Sequence, residues 1–249
     1  MRNYVLADIK RICHKKSFLA TVGAYMGLFL IMIFIYFNPS FTAAAYVAKT
    51  TTFLSFFPLF VGLLVFLSVY YDDFKSKSMQ IAIGYGMSRY KVVLSKVMDS
   101  ILLLFVTVFC IGIIILIIPA ILGLSLSGAQ IVELVASIIV EVLRAIGYIC
   151  ISAIPVFYTQ NAVNGTIFFV LLSSKTIMIL LTMILGQDIL VNTVGDLMQY
   201  LYTSMLYNTR NMFVQEGTVS ITLFGALTLY IVLPVILSIL SFRKKELEF

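Results

Sequence analysis

Long apolar blocks, each close to the roughly 20 residues a helix needs to cross a hydrocarbon layer of about 30 Å, recur six times along this chain. In lipid an unsatisfied backbone amide is too costly, so a spanning segment must be a helix or part of a closed barrel. The blocks lack the apolar/polar alternation of barrel strands, which leaves a helical bundle. Composition agrees, because 61% of the 249 residues are hydrophobic and only 11% are charged. A soluble domain with that balance could not cover its surface with polar groups. The predicted fold is all-α and polytopic, a single transmembrane domain over residues 1–249.

A surface helix is predicted over 2–16, where Val5, Ile9, Ile12 and Cys13 fall on one arc and Asp8, Lys10, Arg11, His14 and Lys15 mainly on the other. Spans follow at about 17–37, 53–71, 97–122, 131–158, 165–185 and 218–242. The first ends at Asn38-Pro39, and a short polar loop carrying Lys49 follows it. The second contains Pro58 and stops at Asp72-Asp73, opening a charged segment over 72–96. Residues 187–217 are too mixed to span. With Leu190, Val194, Leu197, Leu201 and Met205 at helical spacing, they form one or two short amphipathic helices on the far side. The basic start and Ala43-Ala44-Ala45 imitate a signal peptide, but the apolar run from Ser17 to Phe37 exceeds the usual core of roughly 7 to 15 residues and reads as a retained helix.

Of the 17 Lys and Arg residues, five lie in the N-terminal segment, five between Asp72 and Lys96, and three in the tail at Arg243, Lys244 and Lys245. With six spans these segments share one side, and the opposite loops hold only Lys49 and Arg210. Both termini are therefore expected to be cytoplasmic. The net charge of +6 follows from this topology, so nucleic acid is not an expected partner. Cys13, Cys110 and Cys150 have no paired spacing and read as small packing residues.

Several chemistries are excluded. The lone histidine, His14, lies outside the spans, so neither an intramembrane metal centre nor a Ser-His hydrolase can be assembled. Gly84-Tyr85-Gly86 is the nearest approach to a phosphate-binding loop and lacks the rest of that pattern. Any energy source would have to come from another chain or from an ion gradient.

The most informative stretch runs from Asp72-Asp73-Phe74-Lys75-Ser76-Lys77 through Ser78-Met79-Gln80-Ile81-Ala82-Ile83 to Gly84-Tyr85-Gly86-Met87-Ser88-Arg89-Tyr90-Lys91, with Lys96 beyond. Met79, Ala82 and Ile83 share a helical face, Gly84 and Gly86 permit a sharp turn, and Ser88 can cap the next helix. On physical grounds alone, an ordinary basic loop that fixes topology serves equally well. The residue order resembles the loop between spans two and three of ABC-2 type transporter permeases, the type V exporter plan. Ala7-Asp8-Ile9-Lys10-Arg11 with Lys15-Lys16-Ser17-Phe18 is similar to the surface helix of small Gram-positive members. The chain departs from the family at Asp72-Asp73 and Ser76-Lys77, where glutamate and a Gly-Thr pair are common.

The resemblance implies a non-catalytic subunit in the bacterial cell membrane, with ATP and magnesium held by a separate ATPase present in two copies. It also implies a second permease subunit, identical or different, and surrounding membrane lipid. The ATPase-coupling residues would be Lys77, Ser78, Met79, Gln80, Ile81, Ala82, Ile83, Tyr85, Gly86 and Arg89, and charges placed at Met79 and Ile83 would uncouple hydrolysis from transport. Small members of this kind commonly export, or confer immunity to, antimicrobial peptides.

Three charges fall well inside the apolar blocks, away from their ends: Glu141, Arg144 and Lys175. A charge at membrane depth needs a partner or water. Glu141 and Arg144 share a helix face, and Lys175 is placed near the middle of the fifth span. Glu141 is expected to pair with Arg144 or Lys175, fixing helix packing or lining a pathway. An ion-coupled transporter or channel would use these same charges as its coupling site, and a membrane-embedded enzyme is the third possibility.

Overall fold

The computed structural model describes residues 1–243, except for the side chains of Lys175, Ile189 and Val194. The described residues are helical, with turns between helices and no strand. A surface helix α1 (Arg2–Cys13) leads into α2 (Lys16–Tyr36). Helix α3 (Ala43–Lys75) descends to the short α4 (Ser78–Gly84). Helices α5 (Arg89–Ile121) and α6 (Gly128–Thr159) form the long central pair. Then come α7 (Ala162–Ser173), α8 (Lys175–Leu185), α9 (Asp188–Val194) and α10 (Tyr202–Glu216), and α11 (Thr222–Arg243) closes the bundle. Five of these helices are long and apolar enough to cross a membrane, and the bent pair α7–α8 makes a sixth.

Helix α6 is the hub. Its most apolar window is 72% buried, against 22% for α2 and 17% for α11, so α2 and α11 turn most of their surface outward. A capping box starts it: the Gln130 amide donates to Ser127 Oγ, and Gln130 Oε1 accepts from the Ser127 amide. Close approach to α7 depends on Gly165, where an added Cβ would lie 2.0 Å from Val156 Cγ2. Phe66 of α3 stacks on Phe169 of α7 with ring centroids 5.4 Å apart. Aromatic contacts also tie α2 to α3, with Tyr25 and Phe53 ring centroids at 4.7 Å.

Several sequence expectations shift. The loop expected around Lys49 is helical, because Thr42 caps α3 by accepting a hydrogen bond from the Ala45 amide at 3.2 Å. Lys49 sits in the second turn of that helix, its ammonium 4.0 Å from the Tyr36 ring centre. At the other end α3 passes through Asp72-Asp73 to Lys75, since cations from elsewhere neutralise both acids. Pro58 is accommodated by a widened π turn over Pro58–Gly62. The third spanning helix begins at Arg89, so the last turns of the 72–96 segment belong to α5.

The fifth block is not one straight helix. It bends by 62° between Ala162–Ser173 and Thr176–Leu185. Ser174 is extended, and its hydroxyl donates back to the Leu171 carbonyl at 2.9 Å, a side-chain bond that competes with the helix ladder. Lys175 thus starts α8 at the bend, and its side chain lies outside the described residues. Residues 187–217 fold as two short helices joined by a turn. Gly195, with φ of 91°, separates α9 from a 3-10 turn (Leu197–Tyr200) and α10. Of the three basic tail residues, Lys244 and Lys245 lie outside the described residues.

Candidate functional site

The end of the bundle that carries α1 and α4 is organised around one buried ammonium. Lys96, in the second turn of α5, has no exposed surface. Its Nζ donates to Asp8 Oδ2 of α1 at 2.5 Å and also to Asp73 Oδ2 of α3. Asp99 lies one turn along α5, its Oδ2 3.7 Å from the same nitrogen. Arg11 Nη2 donates to Asp73 Oδ1 at 2.5 Å, and Lys15 Nζ to Asp72 Oδ2 at 2.5 Å. The Tyr4 ring covers Lys96 at 4.7 Å. Burial works most strongly against the charge on Arg11, but Asp73, through its charge and hydrogen bond, together with Asp8 and Asp72 outweighs it and raises the guanidinium above its ordinary pKa. Three helices are thereby pinned together directly above α4.

This cluster corrects the expected polarity of α1. Asp8 was placed on the solvated arc, yet it is buried on the same side as Val5 and Ile12. Amphipathic periodicity assigns an acid to water by default and carries no signal for a lysine 88 residues away.

Helix α4 hangs from this joint. The chain turns sharply at Lys77, whose φ of 56° puts it in the left-handed region, and turns again at Gly86 with φ of 89°. Ser76 Oγ donates to the Asp73 carbonyl at 3.4 Å, with Ser78 Oγ at the edge of the same contact. The coupling residues expected from sequence divide by face. Met79 points inward and is only 3% exposed, and Ile83 is half-buried against the core. Gln80 and Ala82 are also half-buried. Ile81 and Tyr85 point outward, 56% and 90% exposed. With Met1, Tyr4, Ser78 and Lys91 they line a shallow depression of about 530 Å³. Arg89 instead contacts the end of α11, where its Nη1 donates to the carbonyls of Phe242 at 3.1 Å and Arg243 at 3.3 Å. A charge at Met79 would therefore break the seat of the helix and would not probe its outer face.

Of the intramembrane charges, Glu141 and Arg144 belong to a second cluster, toward the opposite end. Arg144 Nη1 donates to Glu141 Oε2 and to the Tyr207 hydroxyl, both at 2.6 Å, and Tyr207 donates to Glu141 Oε1 at 2.8 Å. Burial, followed by the Glu141 carboxylate, raises the pKa of Tyr207 and keeps it protonated as a donor. Tyr148 and Thr203 share a hydrogen bond at 2.7 Å, and Tyr202 donates to the Leu143 carbonyl at 2.5 Å. Glu141 and Arg144 thus anchor α10 onto α6. Tyr202 and Tyr207 lie in a segment whose sequence reads only as amphipathic, and nothing local marks them as partners of α6 residues about 60 positions earlier.

The anchor makes one strong local demand. A Cβ on Gly147 would stand 2.3 Å from Tyr202 Cε1 and 2.6 Å from its hydroxyl oxygen. Gly147→Ala is expected to displace Tyr202 and destabilise the protein by about 1–3 kcal/mol, the usual range for overpacking. Thermal unfolding in detergent measures this, and a Gly147→Ala/Tyr202→Phe protein should recover little, because the ring carbons clash as well as the hydroxyl.

Comparison with protein families matches residues 71–247 to the ABC-2 family transporter proteins. Comparison with curated proteins gives no match. The match spans more than two thirds of the chain. It begins beside Asp72-Asp73, so it takes in α4, the Lys96 region of α5 and the Glu141–Tyr207 anchor, and leaves α1 and α2 outside. The match and the stack of apolar helices together establish that this chain belongs to the ABC-2 transporter family as a multi-pass membrane permease.

Proposed function

We propose that this protein is the membrane-spanning subunit of an ATP-driven exporter and receives its energy through α4. The observation that carries the reading is the division of α4 into two faces. Its inner face packs through Met79 and Ile83 into the bundle core, beside a buried ionic joint that unites α1, α3 and α5, and its outer face offers Ile81 and Tyr85 to a partner. A push on that face reaches three helices at once through short, charged, desolvated contacts. Rigid elements joined this way transmit a displacement, where a loose loop would absorb it.

In this reading, two ATPase copies supply ATP and magnesium and bind beneath two permease subunits, identical or different. The basic end is cytoplasmic, and the protein resides in a bacterial cell membrane. Phe34 and Phe109, 83% and 69% exposed on α2 and α5, belong to surface available to the second subunit or to lipid. The cargo class is an amphipathic or antimicrobial peptide, consistent with wide surfaces of Phe, Ile and Met. An ion-coupled mechanism would place its chemistry at Glu141 and Arg144, but Tyr207 and the ion pair already occupy both carboxylate oxygens of Glu141. Reconstituted alone, the chain should not move a fluorescent cationic amphipathic peptide on addition of ATP, and adding the partner ATPase should start transport. Uptake by the chain alone under a proton or sodium gradient would contradict the proposal.

A further inference from the structure

At the end of the bundle opposite α4, helices α6, α10 and α11 enclose a groove of about 410 Å³ that the mechanism above does not use. Its walls are almost wholly apolar. Ile131, Val135 and Ile139 of α6, Phe213 of α10 and Val219 before α11 are each 38–55% exposed, so the groove opens sideways, where hydrocarbon would surround the bundle. One charged residue lines it, Arg210. Among the described residues its guanidinium hydrogen-bonds only neutral groups, Asn211 Oδ1 at 2.9 Å from Nη2 and 3.2 Å from Nε and Ser137 Oγ at 3.5 Å from Nη1, and it lies 5.3 Å from the Tyr207 ring centre and within electrostatic reach of Glu141. Arg210 makes no ion pair with a described residue. Glu141, the acid of the adjoining cluster, is already held by Arg144 and Tyr207.

A cation at the rim of a dry, membrane-facing groove needs a counter-charge. A guanidinium with free donors matches a phosphate, which it can hold through two parallel bonds. We infer that this groove is a binding site for an anionic phospholipid, with one acyl chain lying between α6, α10 and α11 and the headgroup phosphate on Arg210. Because the site abuts the Glu141–Arg144–Tyr207 anchor through Tyr207, an occupying lipid would also brace α10 against α6. The inference depends on the chain spanning a bilayer and not on the ATPase coupling.

The absence of tryptophan from the chain provides a clean test. Phe213→Trp places a single emitter on the groove wall, and Phe109→Trp, on the outward face of α5, reports ordinary surrounding lipid. Each protein is reconstituted in mixed phosphatidylcholine and phosphatidylglycerol vesicles in which one or the other lipid is brominated. At position 213, brominated phosphatidylglycerol should be preferred about fivefold, the factor given by ~1 kcal/mol of attraction per basic residue, with no preference at position 109. Arg210→Gln should abolish the preference and Arg210→Lys should keep most of it. Equal quenching by both lipids at 213, a preference that survives Arg210→Gln, or an emission neither lipid reaches because protein fills the groove would each overturn the inference.

Discussion

Lys96→Met should destabilise the protein by about 3–5 kcal/mol, the range for removing one partner from a buried ion pair. The size of the effect follows from what is left behind. Asp8 and Asp73 both lose the donor they share and keep only Arg11, itself partly exposed, between them, and Asp99 loses its nearest cation. Carboxylates cannot stay charged at that depth without a partner, so α1 should lift away and admit water. Two measurements report this: the thermal midpoint in detergent should fall, and the half-buried Cys13 at the end of α1 should react faster with a membrane-impermeant maleimide. Lys96→Met combined with Asp73→Asn should recover part of the loss, because it removes one of the stranded charges. An unchanged midpoint with unchanged Cys13 reactivity would mean that the cluster does not hold α1.

Ile81→Glu with Tyr85→Ala should abolish most ATP-driven transport and leave the fold intact. Both side chains project from α4 away from the protein, so their loss removes little internal packing. If they are the centre of a docking surface, truncating an aromatic anchor weakens the complex by about 2 kcal/mol or more, which is roughly 30-fold in affinity. The thermal midpoint should stay within about 0.5 kcal/mol equivalent of the parent, as for surface substitutions, while ATPase capture and transport fall together. Met79→Glu makes the contrast, because it puts a charge where the residue is only 3% exposed, and it should lower the thermal midpoint. Equal transport by the parent and the Ile81→Glu/Tyr85→Ala protein would remove the docking role from α4.

The all-helical, polytopic plan was legible because hydrocarbon imposes it: block length and missing alternation permit little else. The site was only partly legible. Glycines and a short apolar turn mark the segment around α4, but which face is outward depends on the left-handed turn at Lys77, and nothing in the residue type announces that conformation. Asp72-Asp73 reads as the end of a span and Lys96 as a topology signal, whereas both contribute to a buried joint assembled across 23 and 88 residues. Local patterns report periodicity and turn chemistry, and they are silent about which distant charge neutralises another. The same holds for Glu141 and Arg144, whose spacing indicates a shared face but not Tyr207 as the third member. At the fifth block, the overall length and apolar character fit one span, and the dip at Ser173-Ser174-Lys175 does not reveal that side-chain bonding to the preceding turn bends the helix.

The most direct test of energy entering through α4 is site-specific photo-crosslinking in intact cells. A photoreactive phenylalanine analogue in place of Tyr85 should join the protein to a chain carrying a Walker A motif, and the same analogue in place of Met79 should join it only to its own α1 or α5. Adducts at position 85 that contain no nucleotide-binding chain, in cells where export is active, would contradict the account.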